Sequence, residues 1–516
     1  MTLRNSALAA LSGTLLAAAF PNFNLSLLAW FGLVPLFAAL RNQSVRNGFW
    51  LGGITGLFYF AGTVHWVTNS VHFYGGIPLV PASLITLLLC AFLALFTALF
   101  AAVLVHQMKR HPGLFVLAAP AIWTSLELAR TYVFSGFPWS LLGYSQYRSL
   151  PVIQMADLTG VYGVSFVIVL MNAAIAEFVL DRKKQPLLAA ACVLALVLGY
   201  GYINFRTPEG PGTFTISVIQ GNIEQDKKWD PTFQAQTLGT YKRLTREALE
   251  QRPDLVLWPE TATPFYFTGA APADQVLTAD LVAFVQQNKV PLLFGTPTYE
   301  IMPNRRIVGR NSAFLLSGDG RIEAFYHKIH LVPFGEYVPL KSLLFFVDKM
   351  VQAIGDFQAG SEYTVMTVPD HNGSGTRVST VICYEIIFPD LVRQFVNRGA
   401  NVITTVTNDA WFGNSAAPYQ HFSMAVFRAI ENRVPVARAA NTGISGFIDS
   451  QGNILAASGI FKEAHLTQSI TPGTNKTIYT RFGDLFSYAC VILSLIMLAW
   501  RPRKTSQPNA SKSFKH

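Results

Sequence analysis

Three short stretches place a thiol, a carboxylate and an ammonium at the ends of apolar runs. Cys383 lies near the end of 376–388, TRVSTVICYEIIF, a run of β-branched and apolar residues that reads as a buried strand. Tyr384 and Glu385 follow it at once. Glu260 comes just after LVLWP at 255–259, and Lys328 follows an alternating strand and opens KIHLVPFGEYVP. An ordinary thiol, with a pKa of about 8.5, is mostly protonated near neutrality. As a nucleophile it needs a base to take its proton or a cation to stabilise the thiolate. Glu260 could take that proton and return it to a leaving group. Lys328, with the backbone N–H after the cysteine, could stabilise the thiolate and the oxyanion. The set suits acyl transfer through a thioester. Each residue also has a plain reading: an inert buried cysteine, a carboxylate in solvent or capping a helix, a surface lysine.

The rest of the chain decides what must position them. Of 516 residues, 51% are hydrophobic and 13% charged, against roughly 25% charged in soluble chains, which points to a membrane. The formal charge of +10 could suggest nucleic acid, but its distribution argues otherwise. Residues 205–484 carry 24 Lys+Arg and 25 Asp+Glu, and the remainder 15 and 4. The basic excess therefore sits in the apolar part, where short loops set topology, and nucleic acid is rejected as a partner. The four cysteines, Cys90, Cys192, Cys383 and Cys490, form no CxxC or Cys/His cluster, so no metal site is expected. On the outer side of a membrane, Cys383 would have no evident disulfide partner, which marks it for chemistry.

Seven apolar runs before residue 205 are candidate spans: about 6–20, 25–40, 48–68, 78–105, 114–133, 160–180 and 186–204, with an eighth at 485–500. The first is read as retained rather than as a signal peptide, because another apolar run follows at once. Arg4, Arg41, Arg46, Lys109, Arg110, Arg182, Lys183, Lys184 and the basic tail from Arg501 all fall on one side if every run spans. The positive-inside rule makes that side cytoplasmic. The expected plan is seven helices in 1–204, an outer domain at 205–484, a last helix at 485–500 and a cytoplasmic tail at 501–516. Glu127 and Arg130, three apart, could pair within one span; His65 and Trp66 read as interface anchors.

Strand-like runs in the outer segment fall at 215–223, 254–259, 291–297, 311–317, 376–388, 401–408 and 443–449, with helical patterns at 231–251, 272–288 and 422–433. Alternation of this kind predicts an α/β sheet covered by helices. Residues 338–357 break the soluble pattern with Leu343, Leu344, Phe345 and Phe346. They read as an amphipathic arm on the membrane surface, with a core helix as the alternative.

The outer segment resembles the nitrilase, or carbon–nitrogen hydrolase, superfamily through WPE at 258–260, the Lys328 segment and CYE at 383–385, in the family's order. HLVPFGEYVPL at 330–340, TNDAWFG at 407–413, VIQGNIEQDKKWD at 218–230 and RAIENRVPVARAANTGISG at 428–446, together with the apolar runs, resemble more narrowly the bacterial apolipoprotein N-acyltransferases. The resemblance spans nearly the whole chain. It implies an αββα sandwich on a helical membrane bundle, with a catalytic triad of Glu260, Lys328 and Cys383. Glu336 would be a supporting carboxylate, and Trp229, Tyr384 and Glu385 would stand near the site, with Asn408, Asp409 and Trp411 as a possible wall. It further implies a phospholipid acyl donor, usually phosphatidylethanolamine, a diacylated apolipoprotein acceptor, no cofactor and a place in the bacterial inner membrane with the catalytic domain periplasmic. The nearest alternative is a membrane-tethered amidase with water as acceptor. A transporter or scaffold is disfavoured by the few charges within the spans.

Overall fold

The computed structural model describes residues 1–205, 210, 212–301, 307–338, 357–371, 373 and 375–500. Leu343, Leu344, Phe345 and Phe346 of the expected arm, and the basic tail, lie outside the described residues. Among the described residues four helices are long and apolar enough to cross a membrane: Leu79–Arg110, Pro112–Ser135, Val161–Asp181 and Lys184–Phe205. The expected count of eight spans is therefore not reached on length and composition. The run at 25–40 divides into a 3-10 turn, Ser26–Trp30, and a short helix, Val34–Leu40, with Gly32 and Pro35 at the break. Leu485–Ala499 is apolar but only 15 residues long.

Small residues bring the helices together, as packing without a hydrophobic drive requires. A Cβ on Gly52 of Val45–Val64 would stand 2.4 Å from Thr97 O, and one on Gly56 would stand 2.7 Å from Ala94 Cα. Glu127 and Arg130 hold the following loop rather than each other. Glu127 accepts from Trp123 Nε1 (2.9 Å) and Leu142 N (2.8 Å), while Arg130 donates to Trp139 O and Ser140 O at 3.1 and 3.2 Å. Trp66, expected as an interface anchor, is buried.

Among the described residues the domain between the apolar helices has twelve strands: β1 Phe214–Gln220, β2 Leu255–Leu257, β3 Leu292–Ile301, β4 Ile307–Leu316, β5 Ile322–His327, β6 Met366–Val368, β7 Thr376–Ile382, β8 Val402–Thr407, β9 Val436–Ala440, β10 Gly446–Ile448, β11 Ile454–Ala457 and β12 Ala464–Ile470. They form two six-stranded sheets, ordered β12-β1-β2-β3-β4-β5 and β11-β10-β9-β8-β7-β6. In each sheet three central strands are parallel, β1-β2-β3 and β7-β8-β9, and antiparallel strands flank them. The period of two sorts side chains between layers. Val218, Leu257 and Leu293 join the core shared by the two sheets, while Ile219, Val256, Leu292 and Phe294 join a second core. That second core packs against Leu238, Tyr241 and Leu244 of Gln234–Ala248 and Leu281 and Phe284 of Pro272–Asn288. Pro389–Asn397 and Ala417–Asn432 pack on the other sheet. The architecture is the expected αββα sandwich.

Polar ties join the domain to the apolar helices. Arg433 Nη2 meets Asp157 Oδ2 at 2.7 Å, Arg428 Nη2 donates to Tyr144 OH at 3.0 Å, and Val161 N donates to Glu431 Oε1 at 3.0 Å.

Candidate active site

The strand that leads to the thiol ends one residue short of it. β7 closes at Ile382, and Cys383 opens a 3-10 turn, Cys383–Ile387, with φ +54°. A left-handed conformation is unfavourable for a side-chain-bearing residue and persists only where its surroundings impose it. Glu385 supplies much of that constraint. Its fully buried carboxylate accepts from Ile382 N through Oε2 (2.7 Å), and through Oε1 from Ile329 N (2.7 Å), His330 N (3.0 Å) and Tyr326 OH (2.7 Å). One carboxylate thus binds the turn carrying Cys383 to the turn carrying Lys328. Burial pushes its pKa up, and those donors act against the rise.

Glu260 follows β2 and Lys328 follows β5, so the sandwich delivers both to the same end as the thiol. Lys328 Nζ lies 2.9 Å from Glu336 Oε2 and 3.8 Å from Glu260 Oε1. Asn311 Nδ2 bridges the carboxylates, donating to Glu260 Oε1 at 2.7 Å and Glu336 Oε1 at 2.9 Å. Asn408 N donates to Glu260 Oε2 at 2.9 Å, and Val332 N to Glu336 Oε2 at 2.8 Å. Burial works against the Lys328 charge, but Glu336 and then Glu260 more than reverse it, so its pKa is raised. The Cys383 thiol is pushed well up, first by burial and then by Glu260, with Lys328 opposing. The site therefore holds a neutral thiol beside a charged lysine.

The remaining sequence-derived residues divide between the site and its surroundings. Tyr384 donates to Gly136 O at 3.2 Å, linking the cysteine turn to a loop between apolar helices. Asn408 also bonds Gln225 Oε1 (2.7 Å) and accepts from Asn441 Nδ2 (3.1 Å). Asp409 is buried behind Cys383, bound to Arg438 Nη2 at 2.8 Å and facing His421 Nδ1 at 3.1 Å. Trp229 is half exposed. Trp411 stands edge-on to Tyr74 at 5.1 Å, with its carbonyl held by Ser70 Oγ at 2.7 Å, at the junction with the apolar helices.

Sequence reasoning missed Asn311, Lys228 and His421. Asn311 is a polar residue within a strand-like run, and Lys228 is the inner member of a Lys-Lys-Trp run whose outer member pairs with Glu224. Lys228 is 1% exposed, and its Nζ donates to the main-chain oxygen of Glu260 at 3.0 Å. Burial drives its pKa down to about 8 against the pull of Glu260 and Cys383. Unfolded, it would hold its proton to about 10.4. Below about 8 both states carry the proton and the cost of burying the charge is present in full. Above that value the unfolded state binds more protons, so stability rises with pH until the unfolded value is reached. Lys228→Met is accordingly expected to melt at a higher temperature than the parent in detergent at neutral pH. The gap should narrow as the pH is raised through that window; a gap that does not narrow contradicts this account of Lys228.

Two facing sheets with the thiol, the carboxylate and the lysine at the same end define a carbon–nitrogen hydrolase domain carried on membrane-type helices. The family model for carbon–nitrogen hydrolases matches residues 215–478, and that for the apolipoprotein N-acyltransferase N-terminal domain matches 12–174. The apolipoprotein N-acyltransferase of Geobacter metallireducens is 42% identical over 512 residues, covering 98% of this chain and 96% of that one. That of Pasteurella multocida is 34% identical over 504 residues (95% and 94%), and that of Methylococcus capsulatus 35% over 490 (92% and 92%). The chain belongs to the apolipoprotein N-acyltransferase family.

Proposed function

We propose that this protein moves an acyl chain from a membrane phospholipid to the N-terminal amine of a diacylglyceryl-cysteine lipoprotein, with Cys383 carrying the chain as a thioester. In the first half, the thiol attacks the ester carbonyl and its proton passes to Glu260. Lys328 and the backbone N–H after the cysteine stabilise the oxyanion. The ester C–O bond breaks, and Glu260 returns the proton to the departing lysophospholipid oxygen. In the second half, the free α-amine attacks the thioester and gives a proton to Glu260. The sulfur leaves as a thiolate beside Lys328 and is reprotonated from Glu260. Glu336 and Asn311 hold Glu260 and Lys328 in register.

What carries the reading is the buried thiol beside Glu260 and Lys328 in a domain bonded directly to apolar helices. A hydrolase of soluble amides has no need of those helices. The chemistry belongs at the outer leaflet of a bacterial inner membrane, with 205–484 periplasmic, 1–204 and 485–500 in the bilayer, and both termini cytoplasmic. Water as the acceptor is the less favoured reading.

The purified protein in phosphatidylethanolamine micelles, given a diacylated lipopeptide with a free N-terminus, is expected to yield triacylated peptide and lysophospholipid in equal amounts. Free fatty acid with unmodified peptide would sink the transferase reading and leave the hydrolase.

A further inference from the structure

Two adjacent residues of the helix Ala417–Asn432 join the apolar helices to the nucleophile. Gln420 is 1% exposed and has its hydrogen-bonding capacity filled. Its Oε1 accepts from Trp66 Nε1 at 3.2 Å and Trp139 Nε1 at 2.7 Å, and its Nε2 donates to Pro21 O at 2.9 Å and Thr63 O at 3.1 Å. These partners come from three separate stretches of the membrane part. His421, fully buried, places Nε2 3.1 Å from the carbonyl oxygen of Cys383. A carbonyl only accepts, so Nε2 carries the hydrogen in this contact, while Nδ1 faces the Asp409 carboxylate at 3.1 Å. Arg438 Nη2 stands 3.0 Å from that Nδ1. The Trp139 ring lies against His421 at 5.6 Å, and Phe412 meets Trp66, Trp139 and His421, so the connection is packed as well as bonded. The tie from Arg433 to Asp157 holds the domain to the helices away from Cys383, and Tyr384 joins the residue next to Cys383 to Gly136 O at 3.2 Å.

The geometry points to Gln420 and His421 as a coupled pair of positioning residues: Gln420 fixes the height of the helix relative to the membrane, and His421 passes that register to the main chain of Cys383. Neither touches the reacting atoms. The physical case is that Cys383 sits in a conformation its own side chain disfavours. A donor on its carbonyl helps to hold that conformation, and this donor is one residue from the four bonds that fix the helix to the bundle. A nucleophile acting on molecules free in solution needs only the second half of the device. One acting on an ester confined to a bilayer needs both.

The inference rests on Cys383 as the acylated residue, and the test separates the two. Acylation of Cys383 is measured by intact mass with two donors: phosphatidylethanolamine in vesicles and p-nitrophenyl acetate in solution. The double variant Trp66→Phe/Trp139→Phe keeps both rings and removes both donors to Gln420 Oε1. It is expected to lose about tenfold in rate with the vesicle lipid, the order given by two buried hydrogen bonds, while the soluble ester rate stays close to the parent's. His421→Leu should slow both donors, and His421→Gln, which restores an N–H, should recover most of the loss. A double variant that slows both donors equally, or neither, overturns the coupling. Failure of His421→Gln to recover more than His421→Leu overturns the role of the histidine. A parent that gains no acyl group on Cys383 from either donor refutes the proposed function instead.

Discussion

Cys383→Ala is expected to abolish N-acylation, by about 10⁴-fold or more given what loss of a nucleophile costs in covalent catalysis. The protein should remain inserted and folded. The thiol is 8% exposed and lies at the end of a closed core, so the change removes one sulfur atom and costs little packing. No proton or charge is stranded, because burial and Glu260 keep the resting thiol neutral. Glu260 keeps its bonds to Asn311 and Asn408, and Lys328 keeps its pair with Glu336. The loss should therefore appear in transfer with no comparable change in melting temperature. Substantial residual transfer by Cys383→Ala would remove the thioester from the account.

Lys328→Met is expected to fail in activity and stability together. Lys328 is 1% exposed and lies between Glu336 at 2.9 Å and Glu260 at 3.8 Å. Without it, two buried carboxylates face one another through Asn311 alone. Removing one partner of a buried charged set costs about 3–5 kcal/mol, because it leaves carboxylate charge buried without its counter-ion. Transfer loses the oxyanion and thiolate stabiliser, worth about 10²–10³-fold by itself, and the base is disturbed in addition. Lys328→Arg should not rescue, since a planar guanidinium does not fit where a compact ammonium sits between two carboxylates. The double variant Lys328→Met/Glu336→Gln separates the effects, with much of the stability returning and none of the activity. Recovery of transfer in that variant would show that Lys328 serves only to balance Glu336.

The central strands other than β9 were legible because they are buried on both faces and read as unbroken apolar and β-branched runs. The short strand β6, the edge strands β11 and β12, and β9, which reads VARAA around the buried Arg438, carry no such signal. Glu260, Lys328 and Cys383 were legible because each follows a strand in a recognisable motif. Glu385 was placed near the site, but its role in tying two turns together depends on bonds to residues 55 to 59 positions away, such as Tyr326, Ile329 and His330. Gln420 was out of reach for the same reason on a larger scale: it meets Trp66 across 354 positions and Pro21 across 399. Trp66 suggested an interface anchor because a tryptophan at a helix end usually is one; only the tertiary contact turns it inward. Asn311 and Lys228 show the limit for polar groups, since a buried lysine bonded to a carbonyl reads in sequence like any surface lysine.

The most direct test of the account is the mass of the protein after exposure to phosphatidylethanolamine alone, followed by a chase. An acyl group is predicted on Cys383 and on no other residue, sensitive to hydroxylamine as a thioester is. It should persist in water and transfer to the N-terminal amine of a diacylated lipopeptide when that is added. Absence of the adduct, an adduct on another residue, or loss of the acyl group to water before the peptide arrives would contradict the account.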